Sequence, residues 1–184
     1  MRLNLSLSST TNGYFDPAGS SKCPFRPIAL DRRAKVEPST VPDVAARVQR
    51  YEIAAFVRNA RAVSSDAQVE HLMVDSLLAH ARGAADKFLD AYYHSDGFTH
   101  NPFKLFEKQT VSIQIDSILR LSPKSYQVRW SEQQRDLNRV VLGVPTHWEA
   151  VLQTQIVPPN SDDAIVSNPL GFYVTQISWT EQQG

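Results

Sequence analysis

The chain has 184 residues with 19 basic and 19 acidic side chains and an apolar fraction of 42%, which suits one ordinary globular domain with a tail. Charge is unevenly spread: residues 1–35 hold Arg2, Lys22, Arg26, Arg32, Arg33 and Lys35 against Asp16 and Asp31, leaving an acidic remainder. A mildly acidic domain behind a basic tail argues against direct nucleic-acid binding, which needs a clustered basic face.

Residues 1–39 are rich in Ser, Pro, Gly and basic residues without sustained periodicity, and read as a flexible tail. The tail holds the only cysteine, Cys23, so neither an internal disulfide nor a cysteine zinc set is expected. No stretch reaches the roughly 18 apolar residues of a membrane span. The opening residues are too polar for a signal peptide. As written, the chain reads as soluble.

A domain is expected over 40–184. Ser39 and Thr40 can cap a first helix over 42–62, with Pro42 and Asp43 in its first turn. Arg47, Arg50, Arg58 and Arg61 fall within about 80° of one another on the helical wheel, an expected solvent face. Opposite them lies an apolar arc too broad for one stripe: Val44, Val48, Tyr51 and Ala55, then Ile53, Phe56, Val57 and Ala60. This predicts either a deeply wedged helix or a second apolar face for a partner. Ser64, Ser65 and Asp66 cap a second helix over 67–81, with Val69, Leu72, Met73, Ser76, Leu77 and His80 on one side. Arg82-Gly83 breaks the path. A third helix over 84–95 groups Ala85, Phe88, Leu89 and Tyr92.

After Asn101-Pro102-Phe103 the hydrophobic period becomes two. Val111, Ile113 and Ile115 begin one strand; Tyr126, Val128 and Trp130 a second, after a tight Ser122-Pro123-Lys124 turn. Trp148, Ala150, Leu152, Thr154 and Ile156 mark a third, and Tyr173, Thr175, Ile177 and Trp179 a fourth. One-sided alternation predicts an antiparallel sheet with one face on the core. Helices followed by consecutive strands predict an α+β domain, a curved sheet wrapped on a helical layer.

Chemistry-bearing motifs are sparse. There is no phosphate-binding Gly-rich loop and no Gly-x-Ser-x-Gly elbow. His94, Asp96 and His100 form the best metal candidate, at a spacing that matches no established site, so no metal or other cofactor is expected. Asp86, Asp90 and Asp116 could act as bases in a helix–sheet pocket, and more simply are solvated surface. His80 reads as a core-edge histidine, and Trp130, Trp148 and Trp179 as core fillers. Asn168-Pro169-Leu170-Gly171 resists a bland reading: it places an apolar residue at a turn tip directly before the last strand.

These residues bring a family into view. Tyr51 to Asp66 resembles the first-helix signature of the TrbF family, the conjugal-transfer counterparts of the eighth VirB-operon protein. The resemblance continues through Asn101-Pro102-Phe103, residues 125–132, residues 168–175 and Ile177-Ser178-Trp179, and covers about 36–184. It implies a cystatin-like, or nuclear-transport-factor-like, fold of three helices on a four-stranded antiparallel sheet. It further implies a non-catalytic scaffold of a bacterial conjugative type IV secretion system at the periplasmic face of the inner membrane. Such a protein is anchored by a span not found in this chain, forms a homodimer and contacts other channel components. The family's Asn-Pro-x-Gly contact role is carried to Asn168, Pro169 and Gly171, with Leu170 presented between them. The alternative on the same fold is a small-molecule carrier or isomerase-like enzyme using the helix–sheet pocket.

Overall fold

The computed structural model describes residues 44–183. The expected tail and the Ser39/Thr40 cap lie outside the described residues. Three helices come first: α1 (Val44–Arg61), α2 (Ala67–His80) and α3 (Ala84–His94). A 3₁₀ turn (Ser95–Gly97) and the short α4 (Pro102–Leu105) lead into the sheet: β1 (Gln109–Ser122), β2 (Ser125–Asp136), β3 (Val141–Ile156) and β4 (Phe172–Gln182). A further short helix, α5 (Asp162–Ser167), interrupts the β3–β4 connection and was not anticipated. The sheet order is β1-β2-β3-β4, with every neighbouring pair antiparallel.

The pattern of side chains explains the layers. Ile53, Phe56, Val57 and Ala60 recur at helical spacing on α1 and are buried, as are Leu77 of α2 and Ala85 and Leu89 of α3. They meet the inward residues Tyr126, Val128, Trp130, Ala150, Leu152 and Ile177 in one core. Of the sheet face expected to be buried, Ile113 and Ile115 are only half-buried, packed against this core. Pro123-Lys124 makes the expected two-residue hairpin, with Ser122 opposite Ser125.

Strict alternation fails where strands bulge. Gln153 pairs with Gln176 but Thr154 with Val174, so Thr175 is an extra residue and the phase of β4 flips there. Phe172 and Val174 are therefore the helix-facing residues before the bulge. Tyr173, expected to share a face with Ile177, lies instead beneath the Arg82 guanidinium, 3.3 Å from its ring centroid.

Two helix faces also depart from expectation. On α2, Val69 and Leu72 are exposed, whereas Glu70 and Leu77 are buried. Asp66 caps the helix by accepting hydrogen bonds from the Gln68 and Val69 amides, while Glu70 accepts one from the Ser64 amide at 2.7 Å. These fixed ends rotate the helix so that positions 70 and 77 point inward. On α1, Arg47, Arg50 and Arg58 are exposed as expected, but Arg61 is buried. It follows Val57 by four residues and so shares the core-facing side of the last turn. Val44 and Tyr51 stay exposed, so the broad apolar arc divides into a core face and an open one.

Candidate functional site

The Asn168–Gly171 turn is built from the inside. Asn168 is buried, and its amide nitrogen donates to the Phe172 carbonyl at 2.7 Å and the Ala79 carbonyl at 3.3 Å. Its side-chain oxygen accepts from the Phe172 amide at 2.9 Å. One side chain thus ties the end of α2 to the start of β4. Gly171 has φ +57°, and a Cβ there would stand 1.8 Å from the Val157 carbonyl oxygen. Only glycine fits, for conformation and for space. Gly171 also accepts a hydrogen bond from the Val157 amide at 2.8 Å.

The four residues therefore divide by role. Asn168 and Gly171 are buried and hold the turn, while Pro169 and Leu170 face outward. Leu170 is 44% exposed. It forms one wall of an open apolar groove of ≈ 310 Å³ with Val44, Val48, Glu52, Ile156 and Phe172. The open face of α1 and the turn thus make one continuous surface. Ile156, the last residue of β3, is 52% exposed at this rim.

A second site lies at the mouth of the helix–sheet layer. Arg61 grips Glu132 through two bonds, Nε to Oε1 at 2.7 Å and Nη2 to Oε2 at 3.0 Å. Arg61 also donates to the Tyr92 hydroxyl, and its guanidinium lies 4.1 Å from the Trp148 ring centroid. The Trp130 indole N–H donates to Glu132 Oε1 at 2.8 Å. Burial presses the Arg61 pKa down, and the hydrogen bonds and charge of Glu132 outweigh it, leaving Arg61 above its ordinary value. Burial raises the phenols of Tyr92 and Tyr93. A cleft of ≈ 200 Å³ opens beside the pair, lined also by His100, Gln109 and Gln134. Trp130, Val128 and Leu152 belong to the buried core and do not line the cleft.

Arg61 and Glu132 were not expected as a site. The signal was present: Glu132 is two residues beyond the inward Trp130 on the same strand, and a carboxylate on a core-facing position calls for a charged or hydrogen-bonding partner. Trp130 is core, while Trp148 and Trp179 are half-buried and flank Arg61.

The other candidates do not converge. His94 Nδ1 bonds the Asp90 carbonyl at 2.7 Å, and His100 stacks on Tyr92 with ring centroids 4.5 Å apart. Among the described residues, no three His, Cys, Asp or Glu side chains come together as metal ligands. Asp86, Asp90 and Asp116 are exposed and line neither the cleft nor the groove. His80 is half-buried at the core edge, its Nε2 3.6 Å from Glu52. Among the described residues, no helix is long and apolar enough to cross a membrane. Cys23 lies outside the described residues.

Comparison with known proteins agrees with this architecture. Residues 29–182 match the family model described as VirB8 protein. Conjugal transfer protein TrbF of Rhizobium radiobacter is 32% identical over 139 residues, 74% of this chain. The chain spans 60% of that relative's length. A TrwG component of a type IV secretion system from Bartonella birtlesii superposes with a TM-score of 0.64 at 24% identity, covering 75% of this chain and 93% of that one. VirB8 of Agrobacterium tumefaciens gives a TM-score of 0.65 at 13% identity, with coverage of 75% and 93%. The two solved structures share the α+β fold of helices on a four-stranded antiparallel sheet. The family match spans most of the chain and the TrbF relative extends through three-quarters of it: this chain belongs to the VirB8 family.

Proposed function

We propose that this protein is a non-catalytic scaffold of a conjugative type IV secretion system, and that it works through protein contacts made by the Asn168–Gly171 turn and the groove beside it. The carrying observation is the division of labour within the turn. Asn168 and Gly171 are spent on rigidity, and what they hold outward is an apolar side chain, Leu170, at a groove walled by the open face of α1. A preordered apolar anchor loses little entropy on binding, which is the economy of a contact site. In this reading the domain sits at the periplasmic face of the inner membrane, held by an anchor, contacts other channel components and pairs with its own kind. Neither nucleic acid nor cofactor enters the reading.

The alternative, a carrier or isomerase-like enzyme, would use the cleft at Arg61. Its two charged groups are bound to each other. An acid–base pair for catalysis needs groups free to reach a substrate. The cleft's ≈ 200 Å³ is also below the roughly 300 Å³ at which ordinary ligand pockets begin. Both features support the scaffold.

Photo-crosslinking in conjugating donor cells tests the proposal. A photoreactive amino acid at Leu170, in an anchored protein, should capture secretion-system proteins, whereas the same label at exposed Lys87 should not. Equal capture from both positions would remove the turn's special role.

A further inference from the structure

The β1–β2 hairpin ends in a tip that belongs to neither the turn nor the cleft. All six residues from Leu119 to Lys124 are exposed, Leu119 at 57% and Leu121 at 52%. Between Asp116 and Glu132 the hairpin carries Arg120, Lys124 and Arg129 and no acidic residue. Arg129 is bound to Glu149 at 2.6 Å, so the tip's own cations are Arg120 and Lys124. The tip is thus an apolar, cationic spot on a domain whose remaining charge is acidic.

Its backbone is closed internally, whereas an exposed turn ordinarily leaves its peptide groups to water. Arg120 donates from Nε to the Ser122 carbonyl at 3.1 Å and from Nη2 to the Pro123 carbonyl at 3.4 Å. These bonds also hold the Arg120 charge at the tip. The Lys124 amide donates to Ser122 Oγ at 3.3 Å, and the Lys124 carbonyl accepts from the Thr154 amide at 2.8 Å. Pro123 has no N–H. From the Ser122 carbonyl to the Lys124 carbonyl every peptide group therefore has a partner. Such a turn leaves bulk water without stranding a backbone donor or acceptor, which is the main cost of entering a lipid boundary.

The tip stands at the end of the domain where α1 begins. The Tyr126 hydroxyl, at the hairpin's base, donates to Gln49 Oε1 at 2.6 Å, and Arg47 and Arg50 on either side of Gln49 are exposed. The carboxylates of this end belong to the β3–β4 side: Glu52 lines the groove with Ile156 and Phe172, and Asp162 and Asp163 stand on α5 in the β3–β4 connection. A net-acidic domain meets an anionic surface favourably only through a face of this kind.

We propose that the β1–β2 tip rests in the headgroup layer of an anionic phospholipid membrane, with Leu119 and Leu121 entering the apolar boundary while Arg120 and Lys124 bind lipid phosphates. This deepens the reading of the domain as held at the inner membrane and rests on it. Two leucines and a few cations hold a surface only weakly. A domain kept close by an anchor needs no more, because its local concentration is already high. The tip's task is orientation: it sets which way the domain faces.

A local probe on the full 184-residue chain tests the proposal and keeps the tip apart from the basic residues 1–35. With Cys23→Ser, a nitrobenzoxadiazole label is attached at Leu121→Cys or, as the control, at Val144→Cys. Val144 is 83% exposed and lies ten residues before Thr154 on β3, roughly 30 Å away at the extended rise. Phosphatidylethanolamine vesicles with about 30% phosphatidylglycerol should brighten and blue-shift the label at 121 and leave the label at 144 unchanged. Vesicles without phosphatidylglycerol, or salt at about 0.5 M, should abolish the response. Arg120→Glu/Lys124→Glu should weaken it by about tenfold or more with the melting temperature retained. Arg120→Gln/Lys124→Gln replaces that pair should it unfold. The proposal is overturned if vesicles leave the label at 121 unmoved, if both positions respond alike, or if the charge variants respond like the parent. Loss of conjugal transfer in Leu119→Ser/Leu121→Ser without a vesicle response at 121 would assign the tip to a protein partner and overturn it too. The inner-membrane reading fails separately, if the anchored protein does not fractionate with that membrane.

Discussion

Replacing Glu132 by Gln keeps the shape of the buried cluster and removes its negative charge. Glu132 accepts three hydrogen bonds, two from Arg61 and one from the Trp130 indole. A Gln oxygen can still accept from Nε and the indole, but its NH₂ then faces Nη2, donor against donor. Arg61 is left charged, with its side chain 6% exposed. Breaking a buried pair from one side costs about 3–5 kcal/mol, and cation–aromatic contacts with Trp148 and Tyr92 bring this to the lower end. For a domain of this size about 3 kcal/mol lowers the melting temperature by roughly 10 °C. The double variant Arg61→Met/Glu132→Leu removes both charges and should recover most of the loss, retaining a cost of about 1–2 kcal/mol for the unpartnered indole. Urea denaturation of parent, Arg61→Met, Glu132→Leu and the double closes the cycle, with an expected coupling of at least about 2 kcal/mol. Single effects below about 1 kcal/mol, or additivity within about 0.5 kcal/mol, would refute the view that this pair is a mutually dependent part of the core.

Other outcomes follow from single residues. Burial raises the Glu70 carboxyl in the folded protein, and Oε1 has no hydrogen-bond partner. A folded pKa above the unfolded one gives stability that is present below the unfolded value and is lost as pH rises through the folded value. Glu70→Gln should therefore raise the melting temperature at neutral pH and flatten its decline between mildly acid and neutral pH; an unchanged profile would count against a strained carboxylate. Gly171→Val should destabilise by about 3 kcal/mol or more, since a Cβ would overlap the Val157 carbonyl and φ is positive. A folded Gly171→Val domain at parental stability would show that the turn relaxes freely. Asn168→Ala removes three hydrogen bonds at a buried site and should cost about 2–4 kcal/mol in chemical denaturation. A cost under about 1 kcal/mol would mean that the Asn168 bonds do not hold the turn.

Much of the fold was legible because periodicity and punctuation coincide. The change from period 3.6 to period 2 after Asn101-Pro102-Phe103 marks where helices give way to sheet, and Pro123-Lys124 announces its hairpin. What escaped was local geometry that depends on a distant partner. The bulge at Thr175 needs the register with Gln153 and Thr154 before it can be seen. Arg61 shares its wheel position with solvent-facing arginines, and only Glu132, arriving 71 residues later, makes its burial affordable. The rotation of α2 depends on Glu70 reaching back to the Ser64 amide. The turn at 168–171 was legible as special, yet not its division into two buried supports and one exposed anchor. Asn168 gains its role from the Ala79 carbonyl, 89 residues away.

The central claim is that the protein acts by contact at the turn and groove rather than by chemistry in the cleft. Conjugal transfer frequency, measured beside the melting temperature, tests it in an anchored version of the protein. Leu170→Asp should lower transfer by about tenfold or more with a melting temperature within about 2 °C of the parent, as expected for an exposed anchor lost from a binding surface. His100→Ala, in the cleft, should leave transfer near the parental level. Transfer unaffected by Leu170→Asp but lost with His100→Ala at parental stability would contradict the account and move the working site to the cleft.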